Sequence, residues 1–140
     1  MAKTVLIIDD DDDDRALFFD AVMEIDPTIG CLSAKNGQEA LQFLKNESTT
    51  LPDYIFLDLN MPRLDGIQCL TEIKKIPKLI GIPVIIYSTT KRLEDIETTQ
   101  RLGAAYFVTK PTIFNEICEA IIFVLNHKWE KNTTVPYQLL

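Results

Sequence analysis

The chain has 140 residues, 46% of them hydrophobic and 25% charged, and its formal net charge is −7 at pH 7. This length and composition are typical of one globular domain with a buried core. The acidic balance argues against a nucleic-acid partner and against an anionic membrane surface, since both need a basic patch. No apolar run approaches the roughly 20 residues that span a bilayer. The N-terminus has no signal-peptide pattern, so we expect a cytoplasmic protein.

The first half of the chain alternates apolar and amphipathic stretches. Val5–Ile8 is wholly apolar and predicts a buried strand, and Asp13–Ile25 predicts a helix with acids in its first turn. Ile29–Ala34 predicts a weaker strand, and Gln38–Lys45 predicts a helix after an Asn-Gly turn. Tyr54–Leu57 predicts a second clear buried strand.

The second half continues the alternation. Asp65–Lys75 predicts a helix with apolar residues spaced three apart, and Pro83–Tyr87 predicts a buried strand. Glu94–Leu102 predicts a helix that a glycine ends. Tyr106–Val108 and Ile113–Asn126 predict the last strand and the last helix.

Five strands alternating with five helices predict a doubly wound α/β domain. Parallel strands need right-handed crossover connections, which place helices on both faces of the sheet. We expect a flavodoxin-like (βα)5 fold with strand order 2-1-3-4-5. We also expect residues 1–127 to form one domain and 128–140 a tail without a separate output domain. The tail is expected to pack on the domain or on a partner.

The three cysteines, Cys31, Cys69 and Cys118, are odd in number and far apart. No pair has the spacing of a zinc site or a redox motif. All three have apolar surroundings in the sequence, so we expect buried free thiols in a reducing compartment.

Polar residues follow four of the five predicted strands. Asp9 and Asp10 follow the first strand, Asp58 the third, Ser88 the fourth and Lys110 the fifth. Ligands of open α/β sheets bind beyond the carboxyl ends of the strands. Two carboxylates and a backbone carbonyl suit Mg²⁺, and a carboxylate can accept a phosphoryl group. A hydroxyl and an ammonium can bind the new phosphoryl oxygens.

The motifs around these residues resemble the receiver domain of two-component response regulators, in particular the single-domain, chemotaxis-regulator-like members. The resemblance covers about residues 3–126. It depends on these stretches, in order: Leu6–Asp10, Phe56–Pro62 followed by Asp65-Gly66, Pro83–Ser88, and Gly103-Ala104 leading to Thr109–Pro111.

The resemblance implies a role for each matching residue. Asp58 is the expected phosphoryl acceptor and one of the expected ligands of Mg²⁺. Asp10 is expected to bind the cation directly and Asp9 through a water. The backbone carbonyl of Asn60 is expected to be a further ligand.

The phosphoryl group is expected to receive a hydrogen bond from Ser88 and to pair with Lys110. Phe107 matches the switch aromatic of the family but lacks the hydroxyl that many relatives carry as tyrosine. Asn60 and Thr90 are expected to tune the phosphate lifetime, although Thr90 is equally consistent with an ordinary loop residue. Relatives usually have a cis bond before the proline that follows Lys110.

The run Asp9–Asp14 departs from the family pattern. An acidic run is often a solvated stretch. Here it joins a buried strand to an amphipathic helix, so its last four residues are expected to cap and charge the helix N-terminus.

The resemblance implies a stand-alone phospho-acceptor switch. The protein is expected to catalyse its own phosphorylation and autodephosphorylation and no other reaction. The donor is a phosphohistidine of a sensor histidine kinase or of a histidine phosphotransfer protein. His127 is the chain's single histidine and is expected at the surface, so the donor histidine must come from another protein. Output is expected through the fourth helix, fifth strand and fifth helix, roughly 92–126, to an unknown protein target or a second copy.

Two alternatives belong to other classes. A pseudo-receiver would bind partners without phosphorylation, but such modules usually lack one of the acids or the lysine. A Mg²⁺-dependent phosphatase that forms an aspartyl phosphate usually has a general acid two residues after its nucleophile. Asn60 occupies that position and cannot act as an acid.

Overall fold

The secondary structure follows the predicted alternation. The computed structural model describes residues 3–62, 64–129 and 137–139, except the side chains of residues 138 and 139. The strands are β1 (Thr4–Ile8), β2 (Gly30–Ala34), β3 (Tyr54–Leu57), β4 (Val84–Ser88), β5 (Tyr106–Thr109) and β6 (Gln138–Leu139). The helices are α1 (Asp12–Ile25), α2 (Gly37–Lys45), α3 (Gly66–Lys74), α4 (Leu93–Arg101) and α5 (Phe114–Asn126). A 3₁₀ turn at Pro77–Leu79 precedes β4.

All strand pairs are parallel, and the order in the sheet is β2-β1-β3-β4-β5-β6. The first five strands confirm the predicted order 2-1-3-4-5. Every residue of β3 and of β4 is buried, as expected for central strands that helices cover on both faces. Strand β6 was not predicted; it comes from the tail and pairs with the outer edge of β5.

Alternate residues of β1, β3, β4 and β5 enter separate cores on the two faces of the sheet. Leu6 and Ile8 of β1 pack in one core with the buried sides of α2, α3 and α4. Val5 and Ile7 pack in the other core with α1 and α5. This division is the doubly wound architecture, and it leaves the carboxyl ends of the strands together at one edge.

Helix α1 buries a narrower stripe than the sequence predicts. Phe18, Ala21 and Val22 are buried, whereas Ala16 is exposed and Leu17 and Phe19 are 42% and 47% exposed. Successive helical residues are about 100° apart, so Phe19 cannot share the stripe that Phe18 occupies. The apolar pattern of the sequence predicts Ala16 and Leu17 on the core face, together with Phe18, Ala21, Val22 and Ile25, and Phe19 in or near the core; the predictions for Ala16, Leu17 and Phe19 are therefore wrong.

The start of the tail packs on α5. Trp129 Nε1 donates a 2.9 Å hydrogen bond to the carbonyl of Val124. The His127 ring packs against those of Phe123 and Trp129, with centroids 5.5 and 4.5 Å away. His127 is thus a half-buried part of an aromatic cluster and not simply a surface residue.

Two smaller expectations also change. Cys69 is buried, but Cys31 and Cys118 are only half-buried. The described residues contain no cis peptide bond, so the bond between Lys110 and Pro111 is trans, contrary to the expectation from the family. None of the helices in the described part of the chain has the length and apolar composition needed to cross a bilayer.

Candidate functional site

Backbone hydrogen bonds between strands hold the two buried carboxylates side by side. The N–H of Asp9 donates to the carbonyl of Ala34 at the end of β2, over 3.0 Å. The N–H of Asp58 donates to the carbonyl of Ile8 at the end of β1, over 2.9 Å. Both residues thus extend the ladders of the sheet by one position, which leaves little freedom in where their side chains start.

Asp9, Asp10 and Asp58 form a cluster in which one carboxylate oxygen of each lies within 4.8 Å of the others. Asp9 and Asp58 are buried, and Asp10 is exposed. Burial raises the pKa of Asp9 to about 6. Hydrogen bonds from Lys110 and from the N–H of Asp11 oppose the rise, and the charge of Asp58 adds to it. The cluster therefore concentrates negative charge at the edge of the sheet.

Lys110 supplies the cation of the site. It follows β5, and its N–H donates to the carbonyl of Ser88 over 2.9 Å. Its Nζ lies 2.7 Å from Oδ2 of Asp9, 2.8 Å from Oδ2 of Asp14 and 3.5 Å from Oδ2 of Asp58. Burial alone lowers the pKa of Lys110, but the bonds to Asp14 and Asp9 and the charge of Asp58 raise it well above its usual range. Lys110 is therefore positively charged at any physiological pH.

Ser88, the last residue of β4, is fully buried. Its hydroxyl oxygen has no hydrogen-bond partner among the residues that the structure describes. Buried polar groups are almost always hydrogen-bonded. A buried, unpaired hydroxyl at this edge is thus a donor suited to a ligand.

Glycine at position 66 is required by the packing of α3 against the loop after Asp58. The N–H of Gly66 donates to the carbonyl of Leu59 over 3.0 Å. A β-carbon at Gly66 would overlap the carbonyl oxygen of Asp58. Asp65 caps α3 through a capping box with Gln68. The Asp65-Gly66 pair therefore holds the helix end against the backbone that carries Asp58.

The family model described as the response regulator receiver domain matches residues 5–122. The chain belongs to this family. A protein-glutamate methylesterase/protein-glutamine glutaminase from Methanococcoides burtonii is 37% identical to this receiver over 119 residues, 84% of the chain. The receiver spans only 32% of that relative's length.

Two similar solved structures are themselves response regulators. The phosphorylated cyanobacterial phytochrome response regulator RcpA is 28% identical, with a TM-score of 0.82. The alignment covers 97% of the receiver and 99% of RcpA. The Mn²⁺-bound form of response regulator Rcp1, a protein of Synechocystis, is 27% identical with a TM-score of 0.75. That alignment covers 96% of the receiver and 99% of Rcp1.

Asn60 and Thr90 lie at the rim of the receiver's site. Asn60 is exposed, and its N–H lies 3.4 Å from Oδ1 of Asp58. Thr90 hydrogen-bonds through its Oγ1 to Asp95 of α4 over 3.1 Å and accepts from the N–H of Arg92 over 3.2 Å. A cleft of about 420 Å³ lies here, lined by Asn60, Arg92 and Asp95 among others. Thr90 thus connects the site to the start of α4.

Phe107 lies in the core in the receiver as described, with none of its side chain exposed. It pairs with Ile86 of β4 in the sheet. Its N–H donates to the carbonyl of Tyr137 over 2.7 Å, and the two ring centroids lie 6.3 Å apart. The predicted switch aromatic therefore touches the tail on its outer side.

Two residues near Lys110 escaped prediction. The sequence predicts only that Asp14 helps to cap and charge the α1 N-terminus, yet its carboxylate bonds Lys110. Tyr87 of β4 places its ring 5.8 Å below the same ammonium. The first turn of α1 comes soon after Asp10 and faces the carboxyl ends of the strands. This position of Asp14 in the sequence could have indicated its contact with Lys110. The expected helix cap is confirmed at Asp11, whose side chain accepts from the N–H of Asp14.

Proposed function

We propose that this receiver is a phospho-acceptor switch that takes a phosphoryl group onto Asp58 in the presence of Mg²⁺. The observation that carries the proposal is the buried Asp58 carboxylate with Lys110 Nζ 3.5 Å away. The unpaired, buried hydroxyl of Ser88 supports it. Such a hydroxyl costs about 1–3 kcal/mol, and a phosphoryl oxygen that accepts its hydrogen bond would remove that cost.

The donor set fits a hard divalent cation, since three carboxylates offer oxygens within 4.8 Å of one another. In our proposal Asp10 binds Mg²⁺ directly and Asp9 binds it through a water. Asp58 and the backbone carbonyl of Asn60 complete the protein ligands. The bound cation supplies positive charge beside the phosphoryl oxygens.

The phosphoryl donor is a phosphohistidine of a sensor histidine kinase or of a histidine phosphotransfer protein. A carboxylate oxygen of Asp58 forms the new bond to phosphorus while the P–N bond breaks, and the imidazole keeps that electron pair. Lys110 and Ser88 then donate hydrogen bonds to the phosphoryl oxygens. Water later hydrolyses the acyl phosphate, at a rate that Asn60 and Thr90 tune. The receiver catalyses no reaction beyond these two.

Phosphorylation shifts the receiver between two arrangements in this proposal. Ser88 moves toward the phosphoryl group, and the packing of Phe107 on the neighbouring strand changes with it. The output surface is the face formed by α4, β5 and α5. Strand β6 lies next to β5 and forms the edge of the sheet there. It contacts a downstream protein or a second copy of the chain in the cytoplasm.

The proposal is tested by amide ¹H–¹⁵N spectra with Mg²⁺, before and after addition of beryllofluoride, an analogue of the phosphoryl group. We expect beryllofluoride to shift the resonances of Asp58, Ser88, Phe107 and Lys110. An Asp58→Asn variant should show none of these shifts. A response to Mg²⁺ alone would instead favour the pseudo-receiver. Turnover of a generic phosphoester would favour the phosphatase.

A further inference from the structure

The resting position of Lys110 favours Asp14 over the proposed acceptor Asp58. An ammonium has three hydrogens to donate. Two of the three nearest carboxylates, those of Asp9 and Asp14, lie at 2.7 and 2.8 Å, within ordinary hydrogen-bond range. The third, that of Asp58, lies at 3.5 Å, beyond a good hydrogen bond. The ammonium is therefore held by Asp14 of α1 and by Asp9, the residue after β1, and lies farther from Asp58.

The position of Asp14 is itself well determined. It lies in the first turn of α1, and its N–H donates to Oδ1 of the cap residue Asp11 over 3.0 Å. Its carboxylate takes no part in that cap and instead reaches Lys110, 96 residues further along the chain. The Asp14 side chain is 34% exposed, so water screens the ion pair only in part.

A phosphoryl group on Asp58 would compete with Asp14 for the same ammonium. It brings between about 1.5 and 2 negative charges and three strong acceptor oxygens to the site. The third hydrogen of the ammonium is available to the phosphoryl group, but Lys110 must move toward Asp58 to donate it at a good distance. That movement lengthens the contact with Asp14 or the contact with Asp9. Of the two short contacts of Lys110, only the one with Asp14 lies outside the cluster of Asp9, Asp10 and Asp58.

We propose that Asp14 is a positioning residue that holds the Lys110 ammonium toward α1 in the resting state and so weakens phosphoryl binding at Asp58. This inference rests on the proposed function of Asp58 as phosphoryl acceptor. Asp14 touches Lys110 and acts through it.

The test compares Asp14→Asn with Asp13→Asn. Asp13 lies in the same exposed first turn and carries the same charge, so both variants change the net charge and the helix-end electrostatics alike. Beryllofluoride is titrated with Mg²⁺ in excess, and amide shifts are followed. We expect Asp14→Asn to bind beryllofluoride about fivefold more tightly than Asp13→Asn, as loss of one partly screened ion pair implies.

Two further measurements separate positioning from a structural effect. Asp14→Glu retains a carboxylate and should restore an affinity close to that of the wild type. The ammonium resonance of Lys110 should shift in Asp14→Asn before any beryllofluoride is added, and should stay in place in Asp13→Asn.

The possible failures can be told apart. Equal affinities in Asp14→Asn and Asp13→Asn, or weaker binding in Asp14→Asn, would overturn the role of Asp14 while the wild type still responds at Asp58. A wild type that does not respond to beryllofluoride would overturn the proposed function, and this inference with it.

Discussion

The hydroxyl of Tyr137 donates a 2.8 Å hydrogen bond to Oγ1 of Thr99. Thr99 is buried in α4, where its own hydroxyl donates to the carbonyl of Asp95 over 2.9 Å. The tail strand is therefore tied to α4 by a side chain as well as to β5 by its backbone.

Replacing Tyr137 with Phe should lower the free energy of unfolding by about 1 kcal/mol, the net value of a typical buried hydrogen bond. Urea unfolding at pH 7 measures the change. Tyr106→Phe is the matched control, because Tyr106 is also buried and its ring packs against Phe123 and Trp129, away from the bond between Tyr137 and Thr99. Equal losses in the two variants would contradict the importance of the Thr99 bond.

The same hydroxyl predicts a pH dependence at alkaline pH. Burial raises the pKa of Tyr137 from 10.0 to about 12, against the lowering effect of its bond to Thr99. A raised folded-state pKa contributes stability below the unfolded value of 10, and this is lost as the pH rises toward 12. Between pH 10 and 12 the wild type should therefore lose more stability than Tyr137→Phe. Equal losses of stability in the wild type and in Tyr137→Phe between pH 10 and 12 would contradict this prediction.

Ser88→Ala should affect the resting and liganded states in opposite directions. The variant removes a buried hydroxyl that lacks a partner among the described residues, so we expect the resting protein to gain up to about 1 kcal/mol of stability. Beryllofluoride binding with Mg²⁺ should weaken about tenfold through loss of one hydrogen bond to a charged group. Thermal unfolding and beryllofluoride titration measure the two effects. A destabilised resting variant would mean that the hydroxyl has a partner.

Gly66→Ala should destabilise the protein by about 1–3 kcal/mol or more, because overpacking displaces the backbone. The added methyl group would overlap the carbonyl oxygen of Asp58. Gly81→Ala is the control, since a β-carbon at Gly81 meets nothing within 4 Å. Chemical denaturation of both variants should show a loss at Gly66 and almost no change at Gly81.

The three thiols should react with an alkylating reagent in the order of their exposure. Burial raises the pKa of Cys69 to about 12 and that of Cys31 to about 11, and it also raises the pKa of Cys118. The thiolate is the reactive form. Cys69, which is fully buried, should be modified only after unfolding, whereas Cys118 should be modified in the native protein. Mass spectrometry of digested samples distinguishes the sites.

Local sequence was enough to predict the alternating elements and the residues at the strand ends. Val5–Ile8 and Tyr54–Leu57 are continuous apolar runs, so their burial on both faces follows from composition. The edge that brings Asp9, Asp10, Asp58, Ser88 and Lys110 together follows from parallel pairing.

The incorrect and missing predictions have a common cause. Phe19, Leu17 and Ala16 are apolar but lie outside the narrow stripe of α1 that packs on the sheet. Strand β6 forms only because the outer edge of β5 offers unpaired backbone groups. A pattern in the chain cannot reveal such an edge, since it depends on which elements are neighbours in the folded protein.

The sequence by itself determined the fold class and the family, because hydrophobic periodicity and short motifs are local properties. Only the tertiary structure decided that Asp14 joins Asp9 in holding the Lys110 ammonium. The six consecutive aspartates are chemically identical, and Asp14 is singled out by the direction of the first turn of α1 relative to the end of β5. Side-chain partners 96 residues apart depend on packing geometry, which composition and spacing do not contain.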